Sequence, residues 1–326
     1  MLGLIKLRRF GWTVGIACWL AVFLMPVDVC AQQQLARQAL STFPADTQQM
    51  AYANLAQLRS TPNFSQIKRQ VLNRQLRYFQ DFLRPMGIEP DRDVDEVALG
   101  WRNDNTGAAG FYGMASGRLQ ADLIRQYFAR TGLPTRQYSG YELYAFGSGS
   151  DRNDIFFTFL DSGTAAFGRL DDLKAMIDVT MGSANALDTN ANFVNWEGEL
   201  EGLAPQWGVL SEKAAANFAA PWFTGGKNTK MDLSVIMRPV RAVLYQVQWG
   251  TGFSAQLNIL CQDAQSATAI TGLLKLVKNG SLQSAADGPS SVPSVIQGAD
   301  IRSNGSRVEL DVSGPANALG QVIQGG

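Results

Sequence analysis

The sequence contains no histidine. This absence excludes Ser-His-Asp and Cys-His catalysis, histidine-ligated zinc sites and pH sensing through an imidazole. The chemistry that remains is that of carboxylate pairs, Ser/Lys dyads, tyrosine, and calcium or magnesium bound by oxygen ligands. A hydrolase built from this chain would therefore have to work independently of histidine.

Cysteine is also scarce, with only Cys18, Cys30 and Cys261 in 326 residues. If the N-terminal segment is removed, Cys261 alone remains. A single thiol forms no internal disulfide and supports neither a thiolate zinc site, an iron–sulfur cluster nor CxxC redox chemistry. Because Cys261 ends the apolar run Leu257-Asn258-Ile259-Leu260, we predict a buried and inert thiol.

Neither sign of charge is in excess, since the chain has 28 basic and 28 acidic residues. Residues 1–31 hold three of the basic and one of the acidic residues, which leaves 25 basic and 27 acidic residues and a net charge of −2. This balance gives no field that would attract nucleic acid, and we expect no nucleic-acid partner. With 46% hydrophobic residues, the chain can fold as one large domain or two ordinary ones.

Residues 1–31 have the pattern of a secretory signal peptide. Lys6, Arg8 and Arg9 form a basic n-region, and residues 10–25 carry no charge. Val29-Cys30-Ala31, which are mainly small residues, form the predicted cleavage site. We expect cleavage after Ala31 and export to the periplasm or the medium. The alternative is an uncleaved anchor in which residues 10–25 provide the sole membrane contact, although a membrane span needs about 20 apolar residues.

The hydropathy pattern of residues 43–182 predicts a first α+β module. Gln32 to Ser41, just before it, are polar and predict a frayed leader. Alternating apolar residues predict strands at 50–55, 94–101, 108–115, 137–146, 155–160 and 164–167. The strand at 137–146 is expected to be broken near Gly140, and residues 50–55 could instead begin a helix. Apolar residues at three- and four-residue spacing predict helices at 64–83, 119–129 and 170–181.

Residues 183–205 are rich in Asn, Ala and Gly, which predicts a linker, and residues 206–326 repeat the order of elements. Strands are predicted at 207–210, 233–237, 242–249, 254–261, 295–301 and 306–312, and helices at 212–220, 264–277 and up to Ile323. Asn304-Gly305 predicts the turn of the last hairpin. The predicted fold is therefore α+β: two related modules of antiparallel sheet packed against helices, after an N-terminal signal peptide.

Three segments resemble a group of uncharacterised exported bacterial proteins that carry domains of unknown function. They are Phe43-Pro44-Ala45-Asp46-Thr47, Gly168-Arg169-Leu170-Asp171-Asp172-Leu173-Lys174, and Ala186-Leu187-Asp188-Thr189-Asn190-Ala191-Asn192-Phe193. The resemblance covers most of the mature chain. It implies the duplicated α+β fold and the exported location, and it implies no activity.

Ser65 and Lys68 form an S-x-x-K pattern, in which a lysine activates a serine, and Ser183-Ala184-Asn185 supplies an S-x-N downstream. The third element of that enzyme class, K-T-G, is missing. We therefore interpret Ser65 as the N-cap of the long helix.

Asp91, Asp93, Asp95 and Glu96 alternate as calcium ligands would, yet the sixth position is Glu96 and the twelfth is Arg102, where a calcium loop needs glycine and glutamate. A solvated turn that enters a strand is the favoured interpretation.

The glycines Gly110, Gly113 and Gly117 match neither the dinucleotide fingerprint nor the P-loop, and close backbone packing is expected there.

The long predicted helix has a basic face and could bind an anionic membrane, but we predict that its apolar face, with Ile67, Val71, Leu76 and Leu83, packs on a sheet. Aromatic residues could line a ligand groove or pack in the core: Tyr138, Tyr141, Tyr144 and Phe146 leave both options open, and Trp196, Trp207, Trp222 and Trp249 favour the core.

No residue of this sequence is assigned a catalytic, cofactor-binding or metal-binding role, and no cofactor is expected. The first hypothesis is a non-enzymatic exported protein that binds an envelope or extracellular protein partner. The second is a small-molecule or lipid-binding protein with a cavity between the sheet and the long helix. The third is a histidine-independent hydrolase. An enclosed apolar cavity would favour the second, facing carboxylates would favour the third, and a filled core would leave the first.

Overall fold

The computed structural model describes residues 33–62, 64–65, 68, 80–103, 109–212, 214–216, 218, 237–279 and 298–316. Twelve strands form one sheet in which all pairs are antiparallel. They are β1 (Gln49–Asn54), β2 (Val94–Asn103), β3 (Ala109–Gly117), β4 (Thr135–Tyr138), β5 (Tyr141–Phe146), β6 (Ile155–Phe159), β7 (Thr164–Arg169), β8 (Gln206–Ser211), β9 (Val240–Trp249), β10 (Gly252–Cys261), β11 (Asp300–Asn304) and β12 (Arg307–Pro315).

Helices cover the sheet on both faces. They are α1 (Gln34–Thr42), α2 (Leu55–Leu58), α3 (Pro90–Asp93), α4 (Ala121–Thr131), α5 (Leu170–Thr180), α6 (Ala191–Gly198) and α7 (Ala264–Lys278), with 3-10 turns at Arg84–Met86 and Leu187–Thr189. Helical residues also lie at 64–65, 68, 80–83, 212, 214–216, 218 and 237. The fold class is therefore α+β, as predicted.

The strand order is β11-β12-β10-β9-β8-β1-β2-β3-β7-β6-β5-β4. Outward from the centre, one half runs β1-β2-β3-β7-β6 and the other runs β8-β9-β10-β12-β11. Among the described residues, the β5–β4 hairpin extends the first half alone. The halves meet where β1 pairs with β8, from Gln49 opposite Leu210 to Ala53 opposite Gln206. We call this pairing the central seam.

Alternation along the strands gives the sheet two distinct faces. The back face carries Tyr52, Ala98, Tyr112 and Trp207, and it packs in one apolar cluster with residues of α1, α5 and α6. The front face of the first half packs against Ile124 and Phe128 of α4. The front face of the second half packs against Ala267, Ile270, Leu274 and Val277 of α7.

The expectation of a frayed leader is wrong, because residues 34–42 form helix α1. Its apolar residues, Leu35, Ala36, Ala39 and Leu40, are buried on the back face. Their spacing is helical, but the surrounding glutamines conceal the stripe. The segment predicted as a linker, 183–205, contains α6 and the 3-10 turn, in which Phe193 and Leu187 are fully buried.

The strand predicted at 137–146, with a break near Gly140, is a hairpin of β4 and β5. Its turn lies at Ser139 and Gly140, whose φ values are 47° and 84°. Most of the helix predicted at 64–83 lies outside the described residues, including Ile67, Val71, Leu72, Leu76 and Phe79. So do residues 1–32, Trp222, the strand predicted at 233–237 except the helical Met237, and the C-terminal helix.

Candidate functional site

A cavity of about 310 Å³ lies on the front face of the first half, between the sheet and the helical residues that precede β2. Its floor comes from strands on both sides of the central seam, and its cover includes Leu58, Phe64, Leu83 and Ile88. Three glutamines and one lysine lie among the mainly apolar residues that line it: Gln49, Lys68, Gln80 and Gln206.

The two faces of the central strands explain why the space exists. Residues that point to the back face are closed off from solvent, as in Met50 and Ala98 with no exposed surface. Their neighbours on the front face, such as Ala51, Val97 and Leu99, are only half-buried although they are apolar. The sheet therefore presents an apolar floor that its helical cover does not touch everywhere.

Aromatic side chains form much of the cavity wall. Trp101 is half-buried and its ring lies 5.6 Å from that of Phe111. The centroid of the Phe157 ring lies 5.3 Å from that of Tyr144 and 6.1 Å from that of Phe159. Rings held by such contacts keep their orientation without a ligand, so this wall is preformed.

Lys68 brings the one charged side chain among the described residues that line the cavity. Its ammonium donates a hydrogen bond to Asp91 Oδ1, at the start of the short helix α3. The lysine side chain is 15% exposed and that of Asp91 is 49% exposed. The ammonium of Lys68 is therefore largely shielded from solvent, whereas the carboxylate of Asp91 is exposed to it.

The S-x-x-K pattern does not form a described Ser/Lys pair, because Lys68 contacts Asp91. Phe64 is already helical, so Ser65 is not the N-cap and that interpretation is wrong. The Ser65 side chain is exposed.

The four acidic residues 91, 93, 95 and 96 diverge to separate partners. Asp91 pairs with Lys68, and Asp95 accepts from both terminal nitrogens of Arg59 at 3.0 Å. Asp93 is buried and accepts from Arg92 Nε at 2.8 Å and from the backbone N–H of Glu89 at 2.9 Å, and these hydrogen bonds lower its pKa. In the described part of the chain, no three metal-ligating side chains converge.

Glu96 points to the back face and holds the start of α1. Its carboxylate accepts from the backbone N–H groups of Gln33 at 3.1 Å and Leu35 at 3.3 Å, and from the Tyr52 hydroxyl. Burial and this carboxylate raise the pKa of Tyr52. This long-range contact explains why α1 starts where it does, with Gln33 at a φ of 91°.

The glycine series is structural, as expected. A Cβ on Gly110 would lie 2.6 Å from Asp172 Oδ1, and one on Gly113 would lie 2.6 Å from the Phe167 ring. Gly117 has a φ of 151° and stands at a register shift between β2 and β3. Close approach of neighbouring groups thus requires each of these glycines.

Asp172, beside Gly110, is a buried carboxylate on the back face. It accepts from Arg102 Nε at 3.2 Å and from the backbone N–H of Phe111 at 3.1 Å. Burial raises its pKa, although Arg102 opposes that shift. Because both of its oxygens are engaged, we assign Asp172 to the attachment of α5 to the sheet.

Glu197 in α6 is a buried carboxyl on the helix that precedes β8. It is 4% exposed, and its Oε1 has no hydrogen-bond partner among the described residues. Burial, with a contribution from Glu201, raises its pKa to about 7. Sequence patterns contain no signal for this residue, since a glutamate in a short amphipathic helix is usually exposed.

The predicted aromatic residues divide between the two faces of the sheet. Tyr144 and Phe146 pack on the front face, Tyr138 and Tyr141 on the back face, and none of these four lines the cavity. Trp207 is fully buried, which confirms it as a core residue, whereas Trp196 and Trp249 are partly buried and pack against the apolar clusters. Cys261 is a buried free thiol, also as predicted.

None of the helices in the described ranges is both long and apolar enough to cross a membrane. No protein-family model, curated protein or solved structure matches this chain.

Proposed function

We propose that this protein binds a small apolar molecule in the front-face cavity. The observation that carries the proposal is the cavity itself, which separates an apolar sheet from its helical cover. Its volume of about 310 Å³ lies at the lower end of the range of ligand sites. The second of the three hypotheses from the sequence is thereby favoured over the first.

The composition of the wall supports a ligand-binding role. Small-molecule sites are lined mainly by hydrophobic and aromatic side chains, with a few polar groups among them. The described wall has this composition, since Gln49, Lys68, Gln80 and Gln206 lie among mainly apolar residues. An apolar ligand bound there would remove its own surface and that of the wall from water.

The volume also limits the size of the ligand. A water molecule occupies about 30 Å³ in the liquid, so the cavity holds on the order of ten non-hydrogen atoms. A ten-carbon alcohol is therefore a suitable neutral probe.

Binding of 1-decanol, measured by titration calorimetry and by the shift in melting temperature, tests the proposal. Ligand at 100 times its Kd should stabilise the native state by about 2.7 kcal/mol. The variant Ala115→Phe should abolish binding, because its added ring would enter the cavity between the small cross-strand neighbours Val97 and Ala165. Ala129→Phe adds the same ring on the exposed side of α4 and serves as the matched control.

A wild-type protein that does not bind decanol overturns the proposal. So does Ala115→Phe protein that is folded and binds decanol as well as the control does.

Export and the duplicated architecture are further proposals that rest on other grounds. The basic n-region and uncharged run of residues 1–31 support export, with a mature N-terminus at Gln32 that N-terminal sequencing would reveal. The matching strand orders on the two sides of the central seam support a duplication, and with it the resemblance to exported bacterial proteins of unknown function. A non-enzymatic role also remains a proposal, and the lack of histidine bears on it only by excluding histidine-dependent catalysis.

A further inference from the structure

Lys68, at the cavity wall, carries a charge that must be balanced. A cation that is 15% exposed beside apolar side chains needs a counter-ion, because transfer of an unpaired charge from water is costly. Lys68 obtains it from Asp91. An ammonium group has three donors, and among the described residues the Asp91 carboxylate accepts from it.

Asp91 is an exchangeable counter-ion. Nearly half of its side chain faces solvent, so water can take over its solvation when the pair separates. Ion pairs with an exposed partner contribute little net stability. An anion with an apolar tail also gains free energy by burying that tail in the cavity. It can therefore compete with Asp91 for the ammonium.

Resting on the proposed function, we infer that the natural ligand is a small amphiphile with an anionic head: a carboxylate of medium chain length. Its tail fills the space above Val97, Leu99 and Trp101, and its carboxylate pairs with Lys68. Asp91 is the internal competitor that holds the lysine while the cavity is empty.

Decanoate and 1-decanol form the test pair, since they share a tail and differ in charge. In wild-type protein, decanoate should bind about 10-fold or more tightly than decanol, the advantage of a charge-assisted hydrogen bond. Lys68→Met keeps the apolar stem and should abolish that advantage without weakening decanol binding. Lys68→Arg should retain most of it.

Asp91→Asn distinguishes ligand recognition from a structural ion pair. Removal of the Asp91 charge should tighten decanoate binding by up to about 5-fold, because a partly exposed ion pair contributes about that factor to an equilibrium constant. Decanol binding should be unchanged. A purely structural pair would instead make Lys68→Met and Asp91→Asn weaken both ligands alike. Melting temperatures of both variants establish that they are folded.

The possible outcomes separate this inference from the proposed function. Equal affinities for decanoate and decanol in wild-type protein overturn the anionic head and leave the apolar cavity as the binding site. Absence of binding by either compound overturns both. Co-sedimentation with phosphatidylglycerol vesicles, together with no binding of free decanoate, would assign Lys68 to a membrane lipid and also overturn the inference.

Discussion

The two halves of the sheet share a strand order but use their front faces differently. In the second half, β10 presents Phe253, Ala255, Leu257 and Ile259 to α7, and all four are at least 94% buried. In the first half, Val97, Leu99 and Trp101 of β2 are half-buried against a cavity. The same arrangement of strands can therefore enclose either a filled core or a ligand site, and the contact with the helical cover decides which.

The back faces differ in the opposite direction. Helices α1 and α5 cover strands of the first half, and α6 covers β8 beside the central seam. In the second half the corresponding surface of β10, β11 and β12 is polar, with Arg302 paired to Glu309 at 2.8 Å and to Asp311 at 2.7 Å. Strand β11 is an edge of the sheet, and charged side chains on an edge strand oppose pairing with another chain.

The largest expected effect is a difference in stability loss between substitutions on the packed front face and on the front face beside the cavity. Leu257→Ala should lower the free energy of unfolding by about 2–5 kcal/mol, because the space it leaves in the packed core cannot collapse. Leu99→Ala should cost only about 1 kcal/mol, since part of that side chain already borders empty space. Urea unfolding with unchanged m-values measures both changes. Equal losses would show that the two front faces are equally well packed.

A second contrast uses two glycines that lie under tyrosine rings. A Cβ on Gly100 would stand 2.3 Å from Cε2 of Tyr112, which has no exposed surface and whose hydroxyl is hydrogen-bonded to Thr47 Oγ1 at 2.6 Å. Gly100→Ala should therefore cost about 1–3 kcal/mol, as overpacked cores do.

Gly208 faces the same conflict, because its Cβ would stand 2.4 Å from Cζ of Tyr245. Tyr245 borders the cavity, however, so its ring can move into free space. Gly208→Ala should thus destabilise less than Gly100→Ala in thermal melts and should weaken decanol binding, whereas the reverse order of stabilities would contradict a free space beside Tyr245.

The segment that connects the halves should respond to pH through Glu197. Its pKa is about 7 in the folded protein and near 4.5 in a model peptide, so the native state retains the proton over a range in which the unfolded chain has lost it. By linkage, the stabilisation is complete below pH 4.5 and is lost as pH rises to 7.

Glu197→Gln removes this dependence. At pH 8 it should stabilise the protein by roughly 1–3 kcal/mol, because a neutral amide replaces a buried charge, and at pH 4.5 it should change little. Glu199→Gln, whose exposed carboxylate pairs with Arg307 at 2.9 Å, provides the control. Melting temperatures from pH 4.5 to 8 test the difference, and an equal shift at all pH values would refute it.

The smallest expected effect concerns Cys261 in the filled core. Burial raises the pKa of this thiol to about 11, so it should react slowly with thiol reagents in the native state. Reducing agent should leave the melting temperature unchanged, and Cys261→Ala should cost roughly 1 kcal/mol. Rapid native-state labelling would indicate that the second half is more open than its front face suggests.

Local patterns in the sequence predict most individual elements. The hairpin of β2 and β3 and helix α7 are examples, because alternation and helical spacing act over neighbouring residues. The central seam is not predictable in this way, since nothing near Gln49 specifies a partner at Leu210. Helix α1 is not predictable for a related reason: its first N–H groups are held by Glu96, about 60 residues further along the chain.

The candidate site was only partly predictable. Alternation places Val97 and Leu99 on one face, but it does not reveal whether that face is covered closely or at a distance. The small side chains at Ala51 and Ala53 were the available signal. Lys68 was noted for its spacing from Ser65, whereas its actual partner, Asp91, becomes its neighbour only through the fold.

The central seam also determines the order in which the chain can be completed. Strand β1 acquires its second neighbour only after residue 211 has been synthesised, because β8 ends there. Closing so long a loop delays the pairing, and contacts between distant segments slow folding generally. Until then β1 is an open edge of a partly formed sheet, at which another chain could add by strand pairing. The junction that unites the two halves is therefore the point at which a nascent chain of this protein most needs protection from its neighbours.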